Sequence, residues 1–170
     1  MPAISMYSAS VPVFVRMLDN LSACLEKAEA FAKAKGFDSK VLVDSRLAPD
    51  MLPLARQVQI ACDAAKFGAA RLAGVEAPSF EDNEASIAEL QKRIRKTIDY
   101  VKSVDAAKID GSEERQVKVP MRGRDPLEMT GLDYLNGFVM PNFYFHVCTA
   151  YGLLRHNGVD LGKRDYLGRS

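Results

Sequence analysis

The segment Asn142-Phe-Tyr-Phe-His-Val-Cys-Thr-Ala-Tyr-Gly-Leu-Leu-Arg-His-Asn-Gly158 contains both histidines of this 170-residue chain. Its residues are mostly apolar, which is typical of the end of a long and largely buried helix. Gly158 supplies a residue at which such a helix can stop. The segment therefore predicts the last helix of a helical domain, with His146 in its interior.

Three more apolar stripes precede this helix. Apolar residues at spacings of three and four predict helices from about Ser8 to Lys35, from about Pro53 to Ala73 and from Asn83 to about Val104. A glycine follows each of the first two segments, and Asn83 is the predicted N-cap of the third. The stripes predict four amphipathic helices that pack together as a bundle.

The periodicity changes between the third and fourth helices. Gln116-Val-Lys-Val119 alternates polar and apolar residues, and Pro126-Leu-Glu-Met129 suits a returning strand. Thr130 then resembles a helix cap, and Pro141 is expected to kink the helix that follows or to free one of its carbonyls. We predict one domain over residues 1–170, an all-α four-helix bundle with a small β-hairpin before the last helix.

Composition and charge argue against two classes of partner. The net charge is +1, and 48% of the residues are hydrophobic, as in ordinary soluble proteins. No apolar run approaches the roughly eighteen residues of a membrane span. The basic cluster Lys92-Arg93-Ile94-Arg95-Lys96 lies near Glu89 and Asp99, so it is interpreted as a solvated helix face. We expect neither a nucleic-acid partner nor a membrane.

The cysteines indicate a reducing compartment. Cys24, Cys62 and Cys148 are odd in number, form no CxxC pair, and each lies in an apolar helical stretch. This pattern is typical of reduced, buried thiols. The N-terminal residues lack the basic segment and the apolar run of a signal peptide. We therefore predict a cytoplasmic location.

The two histidines have different predicted roles. Ten residues on one helix separate them by about 15 Å along the axis, so one metal ion cannot bind both within a chain. His156 falls in the last helical turn, where the helix dipole favours a cationic side chain. His146 has apolar neighbours, and Asn142 lies one turn earlier on the same face.

A polar pocket around His146 would require the second helix to face the fourth. Gln59 and Asp63 are spaced one turn apart on the second helix and could then line one pocket with Asn142 and His146. In that arrangement His146 would be a catalytic base or a ligand of a divalent metal. Gln59 and Asn142 would orient substrate or water, and Asp63 would supply charge. The alternative is a core histidine with one hydrogen bond, and Gln59 and Asp63 on a solvated face.

Four segments together resemble a known family: Ser5–Phe14, Leu47–Gln59, Thr130–Leu135 and Pro141–Gly158 look like the DUF1993 family. That family is similar to the DinB/YfiT-like superfamily. The resemblance implies a four-helix bundle, often a homodimer. Many superfamily members carry a metal on three histidines, one from the second helix and two from an HxxxH pair on the last.

The resemblance transfers only part of that metal site to this chain. The HxxxH pair corresponds to Asn142 and His146, and the second helix has no histidine, so Gln59 or Asp63 would have to substitute. One hypothesis is a small-molecule enzyme or binding protein with a degenerate site at His146 for zinc or nickel. The other is a metal-free ligand-binding or dimeric interaction module without catalytic activity. DUF1993 itself implies no established reaction.

Overall fold

Four long helices surround one apolar core in the computed structural model, which describes residues 4–121 and 123–168. In chain order the elements are α1 (Val11–Lys35), α2 (Lys40–Asp44), α3 (Leu54–Ala73), α4 (Ile87–Ser103), α5 (Ala106–Ile109), β1 (Gln116–Met121), β2 (Arg124–Thr130), α6 (Gly131–Asp133), a π-helix (Tyr134–Val139), α7 (Met140–His156) and α8 (Lys163–Leu167). Helices α1 and α3 each pack against both α4 and α7. The predicted four-helix bundle with a hairpin before the last helix is confirmed.

The predicted apolar stripes meet in the centre of the bundle. Phe14 of α1 and Phe143 of α7 are fully buried, with ring centroids 5.1 Å apart in an edge-to-face arrangement. Gly68 of α3 allows a close approach to the π-helix, because a Cβ there would lie 2.8 Å from Cγ1 of Val139. Burial of these side chains is the main stabilising contribution to such a fold.

Helix α4 begins at Ile87, later than predicted, and the assignment of Asn83 as its N-cap is wrong. Ser86 is the N-cap, and its hydroxyl accepts a hydrogen bond from the Glu89 amide at 3.3 Å. The Glu89 carboxylate accepts hydrogen bonds from the Ala85 amide at 2.8 Å and from the Ser86 hydroxyl at 3.0 Å, so it helps to fix the start of the helix. The acidic segment before Ser86 is instead a loop whose carboxylates bind arginines, as described below.

The last helix is interrupted where Pro141 was expected to disturb it. Thr130 caps α6 as predicted, with its hydroxyl accepting the Asp133 amide at 3.2 Å. A six-residue π-helix then precedes α7. Proline has no amide hydrogen, so it cannot close the regular hydrogen bond one turn back. Next to the proline, the Asn142 side chain donates to the Phe138 carbonyl at 2.6 Å. The wider turn places Tyr134 against α3.

The hairpin contributes two buried side chains to the core. Its strands are antiparallel, with Val117 opposite Met129 and Val119 opposite Leu127. Val117 and Val119 alternate with exposed residues and are buried, as the period-two pattern predicted. Within the described ranges, no helix is long and apolar enough to cross a membrane.

Candidate functional site

A cavity of about 230 Å³ lies where α3, the π-helix, the start of α7 and β1 meet. Its apolar walls are Ile60, Ala64, Phe67, Val119, Phe138 and Val139. Four polar side chains also line it: Asp63, Arg71, Tyr134 and Asn142. A concave apolar space with a few polar groups has the general composition of a small-molecule site.

Arg71 and Tyr134 form the polar pair at one end of the cavity. Nη1 of Arg71 donates to the Tyr134 hydroxyl at 3.0 Å, and the guanidinium carbon lies 4.8 Å from the centre of the Phe67 ring. Burial raises the pKa of Tyr134, and the hydrogen bond from Arg71 opposes this shift only in part. The phenol is therefore neutral at physiological pH and keeps a hydrogen to donate.

Asp63 and Asn142, both predicted to bind substrate, line this same cavity. Oδ1 of Asp63 pairs with Nζ of Lys66 and with Nη2 of Arg93, each at 3.0 Å. Two cations therefore compensate the carboxylate. Asn142 uses its amide group to bind the Phe138 carbonyl. Residue type and spacing predicted Asp63 and Asn142, but no local pattern in the sequence indicated Arg71 and Tyr134.

Gln59 and His146 lie outside that cavity, so the four residues do not share the single pocket predicted for them. The amide oxygen of Gln59 accepts from Arg56 at 2.6 Å, and its nitrogen donates to Glu84 at 2.8 Å. The loop before α4 packs on α3 at this point, and Gln59 binds this loop and not α7. The one-turn spacing of Gln59 and Asp63 places both on one face of α3, but it does not show that the acidic loop before α4 covers Gln59.

His146 binds a different glutamine, Gln57, which is 2% exposed. The distance from Nδ1 of His146 to Oε1 of Gln57 is 2.8 Å. Because the Gln57 amide nitrogen donates to the Leu52 carbonyl at 3.1 Å, its oxygen faces the imidazole. Nδ1 therefore carries the proton and Nε2 is unprotonated. Gln57 is a polar residue within the apolar stripe of α3, and this was the feature of the sequence that could have indicated a buried partner for His146. His156 is exposed in the last turn of α7, as predicted.

The burial of His146 leads to a pH prediction. Burial lowers the pKa of His146, so the unfolded chain binds more protons than the folded chain just below the ordinary histidine pKa of about 6.5. The free energy of unfolding should therefore fall as the pH is lowered from 7.5 to 5.5. In His146→Gln this slope should be shallower, as measured by urea unfolding at each pH. Identical slopes in His146→Gln and the wild type would contradict the assignment, and His156→Gln serves as the exposed control.

The donor atoms around His146 do not fit a three-ligand metal site. Its hydrogen-bonded neighbour is an amide, and the Asp63 carboxylate is occupied by Lys66 and Arg93. In the part of the chain that the structure describes, no three His, Cys, Asp or Glu side chains are grouped to hold a metal ion. The site therefore lacks the donor set that zinc normally takes from a protein.

A second polar cluster is centred on Arg93, which corrects the interpretation of the basic segment as a solvated face. Lys92, Arg95 and Lys96 are exposed, but Arg93 is 3% exposed. Its guanidinium pairs with Asp63 and Asp82 at 3.0 Å and with Glu84 at 3.1 Å. Burial alone would raise the pKa of Asp82, but ion pairs with Arg56 and Arg93 hold it below its usual value. The cluster fastens the acidic loop to α3 and α4.

The cysteines divide into two buried thiols and one exposed thiol. Burial raises the pKa of Cys24 to about 11 and that of Cys62 to about 12, so both are protonated and unreactive. The expectation that Cys148 is also buried is wrong, because its position on α7 faces away from the bundle.

Comparison with known proteins agrees with this architecture. A family model for a domain of unknown function, DUF1993, matches residues 6–167. The crystal structure of a DinB family member protein from Shewanella denitrificans matches with a TM-score of 0.86 and 44% sequence identity, covering 95% of this chain and 91% of that chain. No curated protein matches the sequence. The match to the family model spans nearly the whole chain, and the chain therefore belongs to the DUF1993 family.

Proposed function

We propose that this protein is a metal-free binding protein for a small molecule, which occupies the cavity between α3, α7 and β1. The observation that carries the proposal is the cavity itself, in which four polar side chains are set among aromatic and aliphatic walls. Its volume of about 230 Å³ is below the roughly 300–1,000 Å³ of drug-sized sites, which indicates a small ligand. A π-helix forms one wall, and such turns are frequent at functional sites.

The predicted substrate-binding residues fall into two groups in this proposal. Asp63 and Asn142 contact the ligand directly, since both line the cavity. Gln59 does not line the cavity, but it forms hydrogen bonds with Arg56 and Glu84 and so helps to fix the acidic loop. That loop is connected to Asp63 through Arg93. A binding role for all three therefore remains a prediction, with Gln59 in an indirect part.

Blocking the cavity tests the proposal. Ala64→Leu should fill part of the space, because Ala64 lines it, and small molecules that bind the wild type should lose at least about tenfold in affinity. Ala23→Leu, an exposed site on α1, is the matched control and should change nothing. Ligand-observed NMR with a library of acids, bases and neutral fragments measures both. The proposal fails if no fragment binds the wild type, or if Ala64→Leu binds all fragments equally well.

A catalytic or metal-binding role of His146 stays a prediction. The hydrogen bond from Nδ1 to Gln57 leaves Nε2 available as a base or ligand, which favours the idea. The poor donor set around it argues against a tightly bound metal. Elemental analysis of untagged protein should find less than about a tenth of a zinc or nickel per chain. One metal per chain in the wild type, absent from His146→Ala, would instead assign a metal to this residue.

We also propose that the protein is a homodimer that pairs through the outer face of α7. The chain has no Asp, Glu, Lys or Arg from Tyr134 to Leu154, although one face of this segment is open. Phe145 is 56% exposed, and Tyr144 and Cys148 are exposed beside it. Exposed aromatics without charges are typical of the centre of homodimer interfaces. A second copy would cover this face by the same residues through two-fold symmetry.

Light scattering tests the dimer. The wild type should have the mass of two chains at micromolar concentration, and Phe145→Glu should have the mass of one, because a charge would be buried. Val41→Glu changes an exposed apolar residue of α2 that is 58% exposed and should remain dimeric. Cys148 should be alkylated faster in the Phe145→Glu protein than in the wild type. A wild type with the mass of one chain would refute the dimer.

The thiols support a cytoplasmic location, which we propose on that basis. All three cysteines are free, and two of them are buried where oxidants cannot reach. Unpaired thiols are typical of proteins from reducing compartments. Cell fractionation with an antibody against the chain would test this.

A further inference from the structure

Resting on the proposed binding function, we infer that the ligand of the cavity is a small carboxylate with a flat apolar body, whose carboxylate binds Arg71 and Tyr134. Four charged side chains lie at the cavity or next to it. Asp63 and Arg71 line the cavity, and Lys66 and Arg93 pair with Asp63.

Arg71 differs from the other two cations in its partners. Lys66 and Arg93 each pair with a carboxylate of the protein. Within residues 4–121 and 123–168, no carboxylate lies within ion-pair distance of Arg71. Its guanidinium donates one hydrogen bond to Tyr134, and the guanidinium carbon lies 4.8 Å from the centre of the Phe67 ring and 5.8 Å from that of Tyr134. Arg71 therefore brings a net positive charge to the cavity, with several N–H groups left to donate.

Tyr134 adds a second donor beside this charge. Its side chain is 1% exposed, and its oxygen already accepts the hydrogen bond from Arg71. Over the described part of the chain, its hydroxyl hydrogen has no protein acceptor. Tyr134 is among the residues that line the cavity, and a buried donor without an acceptor is costly, so an anionic oxygen of a ligand would satisfy it. A guanidinium and a phenol that converge in this way suit a carboxylate group.

The walls next to this pair determine the rest of the ligand. The rings of Tyr134 and Phe138 are stacked, with centroids 5.9 Å apart and planes at 18°. The Phe67 ring also borders the guanidinium, with its centre 4.8 Å from the guanidinium carbon. Flat aromatic surfaces of this kind favour a flat apolar body. The far end holds Asn142 and Asp63, and the charge of Asp63 is offset by Lys66 and by its share of Arg93, which reduces its repulsion of an anion.

A competing explanation is that Arg71 serves only the helix dipole. Arg71 does lie in the last turn of α3, where a positive charge is favourable. That role needs no second donor and no aromatic cavity around the guanidinium. The two explanations differ in one measurable property, the preference of the cavity for an anion over a neutral molecule of the same shape.

The experiment compares benzoate and phenylacetate with benzamide and phenylacetamide, titrated by NMR at pH 7 into the full chain. Each acid should bind the wild type at least about tenfold more tightly than its amide. Arg71→Gln should remove this preference by weakening the binding of each acid to about the level of its amide. Tyr134→Phe should reduce the preference in part, and Arg95→Gln, an exposed arginine, should keep it whole. Circular dichroism melts confirm that each variant is folded.

The outcomes separate the ligand class from the binding function. Equal binding of acids and amides by the wild type, or a preference that survives Arg71→Gln, would overturn the carboxylate assignment. The carboxylate assignment would also be overturned if these four probes did not bind while other fragments bound the wild type and lost affinity in Ala64→Leu. In that case the binding function would stand. The binding function itself would fall if no fragment bound the wild type, or if Ala64→Leu bound every fragment as well as the wild type does.

Discussion

We expect Gly131→Ala to destabilise the protein more than any other addition of a single methyl group to one of its glycines. A Cβ at this position would lie 2.0 Å from the carbonyl oxygen of Ser112, far inside van der Waals contact. The neighbouring chain cannot move away easily, because the Leu132 amide donates to the Glu113 carbonyl at 3.0 Å. The free energy of unfolding should fall by about 3 kcal/mol, the upper end of overpacking costs.

Gly137→Ala is the matched control for that substitution. Gly137 lies in the π-helix, and a Cβ there would meet nothing within 4 Å. Alanine has the better helix propensity, so this variant should be as stable as the wild type or more stable by up to about 1 kcal/mol. Urea unfolding followed by circular dichroism measures both variants. If the two alanines have equal effects, the close approach of Gly131 to Ser112 does not exist in solution.

The second large effect should come from Arg93→Met. This change removes the cation shared by Asp63, Asp82 and Glu84 but keeps a long apolar side chain in the core. Breaking a buried ion pair by deleting one partner costs about 3–5 kcal/mol, and partial exposure of the acids places the expected loss near 3 kcal/mol. Arg95→Met, two residues away and exposed, should cost less than about 0.5 kcal/mol.

Acid should reveal the same cluster. Ion pairs hold the pKa of Asp82 below its ordinary value, so they stabilise the fold at neutral pH. This stability is lost as the pH falls and the carboxylate takes up a proton. Arg93→Met has already lost part of it, so its unfolding free energy should decrease less than that of the wild type between pH 6 and pH 3. An unchanged acid dependence would show that the cluster does not form.

Much of the fold could be predicted because the information is local. Repeats of three and four residues indicate a helix wherever they occur, and the long helices begin or end at residues with a local reason to do so. Gly36 and Gly74 adopt the left-handed conformation that ends α1 and α3, with φ values of 75° and 67°. The start of α4 was placed wrongly because an acidic segment competes with Ser86 as a helix start. The carboxylates of that segment, Asp82 and Glu84, form ion pairs with Arg93 instead.

The candidate site could be predicted only in part, because it depends on which helix faces meet. Asp63 and Asn142 were identified by their types and spacing, and the cavity does bring them together. Gln57 replaced Gln59 as the partner of His146, although both lie on α3. Two residues along a helix change direction by about 200°, and nothing local states which of the two glutamines faces α7.

The sequence by itself determined the helices, their order, the hairpin and the family, since each depends on periodicity, turn residues and motifs along the chain. Only the tertiary structure decided that Arg93 is buried, that Cys148 is exposed, and that Arg71 and Tyr134 share a cavity. These are properties of contacts between residues distant in the chain. A side chain's type shows what it can bind, but its burial and its partner are set by the element that packs against it.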